Sequence, residues 1–185
     1  IQHPNVSAIY EVGKYEKRPF IVMQYVPGRT LKELLESGPL NLQFALSVSI
    51  QIADGLAEAH KQGILHRDLK PANIMVTDGG LVNILDFGLA KRRESPTLED
   101  IAESDDEANG NQQSSRFGTT AYMAPEQFVT LRSSKQSDIF ALGIIFYEII
   151  TGQHPFLSTR KLDEHELIRA IRSIKPTPPK KLNPD

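Results

Sequence analysis

The feature of this sequence that most constrains its fold is a charged run between apolar residues, at positions 64–76. Histidine, arginine, aspartate, lysine and asparagine occur within eight positions, and apolar pairs flank them on both sides. A buried strand does not tolerate that density of charge, and Pro71 disfavours a regular helix. We therefore predict a loop whose two ends are anchored in a core, which makes it a rigid platform for polar groups.

A second acid, Asp86, lies further along the chain inside a short apolar run at 84–87. Together with Asp68 and Asn73 of the first run, it would supply two carboxylates and one amide. Magnesium prefers such hard oxygen ligands and keeps several of its waters. The combination points to phosphoryl transfer, in which a metal neutralises charge and a carboxylate orients the attacking hydroxyl.

The composition is that of an ordinary globular protein and excludes several other classes. The 185 residues, 39% hydrophobic and 24% charged, suffice for one domain with a sizeable core. A net charge of −2 gives no indication of nucleic acid or of a membrane surface as a partner. The absence of cysteine excludes disulfides and cysteine metal sites. The most apolar stretch, 139–150, is too short to span a bilayer, so we interpret it as a buried helix and predict no membrane segment.

Local patterns predict a chain of mixed secondary structure. The clearest signal is an apolar stripe at helical spacing in 42–61, which we interpret as core. The segment 20–26 has the composition of a buried strand, and Asp78-Gly79-Gly80 is typical of a hairpin turn. We expect strands over 8–12, 20–26, 74–76 and 82–85, and helices over 31–35, 42–61, 137–151 and 162–173.

Residues 94–113 differ sharply from the rest of the chain. They include seven acids and no lysine or arginine, together with many small polar residues. Such a segment cannot bury enough apolar surface to offset its ordering entropy, so we predict disorder there. An autoinhibitory or docking role for this segment is the alternative.

Three short motifs follow one another in a familiar order. His-Arg-Asp-Leu-Lys-Pro-Ala-Asn occupies 66–73, Asp-Phe-Gly occupies 86–88, and Ala-Pro-Glu occupies 124–126. In this order and spacing they closely resemble the eukaryotic-type protein kinase family. The resemblance implies an α+β, protein-kinase-like fold, in which 1–26 form the end of the N-lobe and the hinge strand and 27–185 form the C-lobe.

The resemblance also assigns catalytic roles. Asp68 is similar to the base that accepts the proton of the substrate hydroxyl, and Lys70 to the residue that steadies the transferred phosphate. Asn73 and Asp86 resemble the ligands of Mg²⁺ or Mn²⁺. Thr119 corresponds to the threonine that contacts the catalytic aspartate and lysine in serine/threonine enzymes. The Lys-Pro-Ala-Asn order of the loop also resembles the serine/threonine class.

For ATP, the resemblance implies a site at the hinge. Met23 corresponds to the gatekeeper, and Gln24 and Val26 to the first and third hinge positions, whose backbone groups bind the adenine. Met75 corresponds to the apolar floor beneath the adenine. His66 corresponds to a structural position that stacks on Phe87, and we do not count it as catalytic.

Regulation and substrate choice are further expectations from the resemblance. Arg67 would place a cation where a phosphate can pair with it, and Ser115 lies at the main activating position of the family. We predict that phosphorylation of Ser115 orders the activation segment. Glu148 is retained at a position that contributes to the binding of basic substrates in some members.

The leading hypothesis is thus a protein kinase that transfers the γ-phosphate of ATP to serine and threonine hydroxyls, in the style of prokaryotic members. We expect a cytoplasmic location, although the full-length protein could be tethered to a membrane. The Gly-rich phosphate loop, the strand lysine with its glutamate, and the last C-lobe helices have no counterpart in this sequence. We therefore expect this part of the domain to be inactive by itself. A catalytically dead scaffold is the alternative; a small-molecule phosphotransferase is disfavoured by the peptide-docking motifs at 118–126.

Overall fold

The chain is described here from a computed structural model. The residues that it describes are 1–16, 18–87, 119–130, 132–157 and 162–184. The acidic stretch 94–113, for which disorder is predicted, and Ser115 lie outside these residues.

The described residues contain helices and antiparallel strands in separate groups, so the predicted α+β class is confirmed. Short 3₁₀ turns occur at Pro71–Asn73 and Pro179–Lys181. The strands are β1 (Ile9–Tyr15), β2 (Arg18–Met23), β3 (Arg29–Thr30), β4 (Ile74–Val76) and β5 (Val82–Ile84). The helices are α1 (Leu31–Leu35), α2 (Leu42–Lys61), α3 (Gln127–Thr130), α4 (Lys135–Thr151) and α5 (Glu164–Ser173).

Strands β1 and β2 form an antiparallel hairpin, but the prediction that the second strand is buried is wrong. The strand spans Arg18–Met23, and all its residues but the last are exposed. The described part of the chain places no second layer over this two-stranded sheet, so its apolar side chains keep their contact with solvent. The following segment returns to the core at Val26, which is buried.

Helix α2 is the centre of the core. Asn41 begins it by accepting a hydrogen bond from the backbone N–H of Phe44 at 3.0 Å. Its predicted stripe is buried and packs against β5 and α4. Gly63 follows its end with a φ of 72°, a conformation that glycine adopts without strain.

The second sheet has the order β3-β4-β5 and brings the segment after the hinge against the charged loop. Thr30 pairs with Met75, and Met75 pairs with Asn83. Gly28 passes so close to β4 that an added Cβ would lie 2.3 Å from the carbonyl oxygen of Val76, and its φ is 133°. Only glycine allows this approach, which places the hinge segment beside β4.

Helix α4 is the second main element of the core. It begins two residues earlier than predicted, because Ser134 and Ser137 form a reciprocal capping box. It ends at Gly152, whose φ of 70° is left-handed. Among the described helices, none is both long and apolar enough to cross a membrane.

Candidate active site

One buried carboxylate, that of Asp138 on α4, holds the charged loop in place. Its Oδ2 accepts hydrogen bonds from the backbone N–H of His66 at 2.9 Å and from Nε2 of His60 at 2.7 Å. Its Oδ1 accepts from the backbone N–H of Arg67 at 2.9 Å. Arg67 has a φ of 75°, an unfavourable conformation for a residue with a side chain. The two backbone hydrogen bonds to Asp138 therefore stabilise the turn that aims the rest of the loop.

The ring of His66 joins the charged loop to the apolar run at 84–87. Its Nδ1 accepts from the backbone N–H of Asp68 at 3.3 Å, so Nε2 carries the proton and donates to the carbonyl oxygen of Leu85 at 2.8 Å. The ring also meets Phe87 edge-on at 4.8 Å, which is the predicted contact. Because His66 is fully buried, desolvation lowers its pKa, and the ring stays neutral.

The side chains of Lys70 and Asn73 both contact Asp68, and Lys70 also contacts Thr119. Lys70 Nζ lies 2.8 Å from Asp68 Oδ2 and donates to Thr119 Oγ1 at 2.8 Å. Asn73 Nδ2 donates to the backbone oxygen of Asp68 at 2.8 Å and to its Oδ2 at 3.3 Å. These contacts link four of the five residues to which the resemblance assigns a catalytic or metal-binding role, and Asp86 is the fifth. A cleft opens beside Asp68, with Thr119 and Met123 among its lining residues.

The oxygens proposed for magnesium fit that ion in part. Asn73 uses its amide nitrogen on Asp68, which leaves its Oδ1 without a partner among the described residues. Asp86 is exposed and has a left-handed φ of 61°. No group of three or more His, Cys, Asp or Glu side chains in the described ranges is arranged to hold a metal. Magnesium that is shared with nucleotide phosphates requires only one or two protein ligands, so a larger cluster of acids is not needed for it.

Three of the residues predicted to bind the nucleotide, Met23, Gln24 and Val26, lie at or just after the end of β2. Met23 ends β2. The backbone N–H of Gln24 donates to the carbonyl oxygen of Ala8 at 2.8 Å, and the side-chain oxygen of Gln24 accepts from the backbone N–H of Ala8 at 3.2 Å. The Gln24 carbonyl and the Val26 N–H have no hydrogen-bond partner among the described residues. Met75 lies on β4 and is partly buried.

Side-chain hydrogen bonds connect the segment 119–126 to helices α4 and α5. The Tyr122 hydroxyl donates to Oε2 of Glu148 at 2.6 Å, and the Thr120 hydroxyl donates to Oε1 of Glu164 at 2.9 Å. Burial raises the pKa of Glu148, while the hydrogen bond from Tyr122 opposes that rise. Burial, with the adjacent carboxylate, also raises the pKa of Tyr122. The sequence predicts Glu148 as a substrate residue, and the structure places it as the anchor of Tyr122.

Two histidines of the site are absent from the predictions made on sequence. His60 falls on the buried stripe of α2, at helical spacing from Ile52 and Leu56, so periodicity could have indicated it. His154 lies after α4 and donates from Nε2 to the carbonyl oxygen of Ala121 at 3.0 Å. No periodicity marks His154, because it lies outside any helix or strand.

The His154 ring makes stability depend on pH. Burial lowers its pKa to about 4, from an ordinary value of 6.5. As pH falls, the unfolded chain takes up the proton first, so the contribution of His154 to stability is present above pH 6.5 and is lost as pH falls towards 4. We expect wild type to lose about 2 kcal/mol more unfolding free energy between pH 7 and 5 than His154→Gln, measured by urea unfolding. An equal loss of unfolding free energy in wild type and His154→Gln over this pH range would contradict the prediction.

Comparisons with known proteins agree with this geometry. The profile of the family described as "Protein kinase domain" matches residues 1–184. A probable serine/threonine-protein kinase of Clostridium perfringens is 38% identical over 186 residues, which is 99% of this chain and 25% of that protein. The probable serine/threonine-protein kinase PknB of Lactococcus lactis and the serine/threonine-protein kinase PrkC of Bacillus subtilis are each 38% identical over 157 residues, or 84% of this chain.

With its match over 1–184, the chain belongs to the protein kinase domain family, as the sequence motifs predict. The chain spans 25%, 23% and 22% of the length of the three relatives.

Proposed function

We propose that the protein containing this chain is a serine/threonine-protein kinase that uses ATP and Mg²⁺. The observation that supports this most is the position of Lys70, whose ammonium lies 2.8 Å from both Asp68 Oδ2 and Thr119 Oγ1. This bridge joins the loop that would perform the chemistry to the segment against which a peptide would lie. The names of the relatives, all serine/threonine-protein kinases, agree with it.

In this proposal, Asp68 acts on the attacking hydroxyl. The hydroxyl oxygen of a substrate serine or threonine bonds to the γ-phosphorus, the bond from that phosphorus to ADP breaks, and the hydroxyl proton passes to Asp68. Asp68 is suited to this because one third of its side chain is exposed and the residue lines the cleft beside Thr119 and Met123. The Asn73 amide and the Lys70 ammonium fix its orientation.

Lys70 supplies a positive charge where negative charge moves from ATP to the substrate. It lies on a rigid support, because Thr119 holds its ammonium and only 18% of its side chain is exposed. A fixed charge in a partly desolvated site stabilises a transition state more than a solvated one does. Thr119 would thus favour transfer only when the 119–126 segment is in place.

Asn73 Oδ1 and the Asp86 carboxylate would hold the metal, which when bound neutralises phosphate charge. The Gln24 carbonyl and the Val26 N–H would bind the adenine edge between Met23 and Met75. The division into an N-lobe end at 1–26 and a C-lobe from 27 onwards belongs to this proposal.

The proposal also covers the partners and regulation of the whole protein. Its substrates would be proteins with accessible serine or threonine, and its location the cytoplasm, where ATP is available. Phosphorylated Ser115 would pair with Arg67, and Glu148 would shape the substrate surface through Tyr122. A catalytically inactive scaffold is the second candidate. It is disfavoured because a scaffold does not require Asp68, Lys70 and Asn73 to be arranged in this way.

The metal role gives the first test. Asp86→Asn in the full-length protein is expected to lower phosphate transfer at fixed Mg²⁺ by about 100-fold, and to shift half-maximal activity to higher Mg²⁺, because one anionic ligand is lost. Transfer of labelled phosphate from ATP to a mixed protein substrate measures both effects. Asp78→Asn, in the exposed turn between β4 and β5, is the matched control. An unaltered Mg²⁺ dependence in Asp86→Asn would refute the assignment, and no transfer by wild type would favour the scaffold.

A further inference from the structure

His154 is a buried histidine that the proposed chemistry does not use, and three hydrogen bonds fix it. His154 follows the end of α4 in the chain and is 9% exposed. Nδ1 accepts from the backbone N–H groups of Phe156 and Leu157, each at 3.2 Å. Because Nδ1 is an acceptor, the proton is on Nε2, which donates to the carbonyl oxygen of Ala121 at 3.0 Å. One ring thus connects two segments that are distant in sequence.

The same ring packs against aromatic side chains of both segments. It meets Tyr122 edge-on, with centroids 5.3 Å apart and planes at 87°, and it meets Phe156 at 6.1 Å. Tyr122 is also fixed at its hydroxyl by Glu148. The two contacts on Tyr122 therefore hold the chain directly after Ala121.

The hydrogen bond to Ala121 holds the 119–126 segment through its backbone, because Ala121 has no polar side chain of its own. Ala121 is 3% exposed and its methyl group cannot hydrogen-bond, so its carbonyl is the available polar group. Two residues before it, Thr119 holds the ammonium of Lys70. A displacement of Ala121 would therefore move both the peptide-facing surface and the support of Lys70.

We propose that His154 is a positioning residue for the protein substrate: by holding the Ala121 carbonyl, it fixes the 119–126 segment as the surface on which the substrate peptide lies. This inference rests on the proposed kinase function. It predicts that loss of the cross-link weakens productive binding of the protein substrate and leaves ATP binding unaffected, because the hinge is formed by other residues.

A purely local role for His154 makes a different prediction, and two variants separate the roles. The side-chain oxygen of His154→Asn can replace Nδ1 and accept from Phe156 and Leu157, but its short side chain does not reach Ala121. The longer amide of His154→Gln places its N–H near the Nε2 position and keeps the bond to Ala121. If His154 has a positioning role, that role is lost in the Asn variant and retained in the Gln variant. If its role is purely local, the role is retained in the Asn variant and lost in the Gln variant.

The experiment is steady-state kinetics of the full-length protein and both variants, with a protein substrate and ATP varied separately. We expect His154→Asn to raise the KM for the protein substrate about tenfold, with the KM for ATP within about twofold of wild type. His154→Gln should keep both KM values within about twofold of wild type. Thermal unfolding establishes that the variants are folded.

Equal protein-substrate KM values for wild type and His154→Asn would overturn the inference, as would a raised KM in the Gln variant alone. If the Asn variant does not fold, the Gln variant decides: a wild-type KM supports the positioning role, and a rise of about tenfold overturns it. Absence of transfer by wild type contradicts the proposed function itself. An active wild type with unaffected variants contradicts only the role of His154.

Discussion

Replacement of Asp68 by asparagine in the full-length protein is expected to lower kcat for phosphate transfer by about 10²–10⁴-fold. Asparagine keeps the size of the side chain and its hydrogen bond from Asn73, but it cannot accept the hydroxyl proton. ATP binding should stay close to wild type, because Asp68 is proposed to act on the hydroxyl and not on the nucleotide. Steady-state transfer and a separate measurement of nucleotide binding test both parts.

The matched control for Asp68→Asn is Asp78→Asn, which makes the same chemical change at an exposed turn. It should leave kcat within about twofold of wild type. If Asp68→Asn retained full kcat, Asp68 would not be the base. The proposed division of roles within the charged loop would then be wrong.

Replacement of Asp138 by asparagine is expected to give the largest loss of stability, about 3 kcal/mol of unfolding free energy. The carboxylate accepts from three donors, on His60, His66 and Arg67. An amide has one acceptor oxygen, and its NH₂ group would face a donor, so at least one buried N–H would lose its partner. Denaturant unfolding of the full-length protein, followed by a probe in this domain, measures the loss.

Asp54→Asn is the control for Asp138→Asn, because Asp54 is exposed on α2. It should change the unfolding free energy by less than about 0.5 kcal/mol. Asp138→Asn should also reduce transfer activity, since the turn at Arg67 that aims Asp68 would lose a support. Equal stability of the two variants would show that Asp138 does not hold the loop.

Sequence predicts best the elements whose pattern is local. The stripe of α2, the Asp78-Gly79-Gly80 turn and the short helix over 31–35 are each predicted from a local pattern, and all three occur in the structure. The charged loop could be predicted as a platform because its apolar flanks place it in a core. Its chemical roles came from the order of three motifs, and the family match confirms the resemblance on which they rest.

What sequence could not give depends on contacts between distant residues. The exposure of β2 depends on what covers the sheet, and its apolar composition alone predicted burial. The pairing of Tyr122 with Glu148 and of His154 with Ala121 joins segments with no shared periodicity. Such pairs become visible only once α4 and the 119–126 segment are placed in space.

The most direct test of the central claim is phosphoamino-acid analysis after the full-length protein has been incubated with γ-labelled ATP, Mg²⁺ and a mixed protein substrate. Wild-type protein is expected to produce labelled phosphoserine and phosphothreonine, and Asp68→Asn is expected to lose both. Wild-type protein that binds ATP and Mg²⁺ but labels neither residue would contradict the central claim.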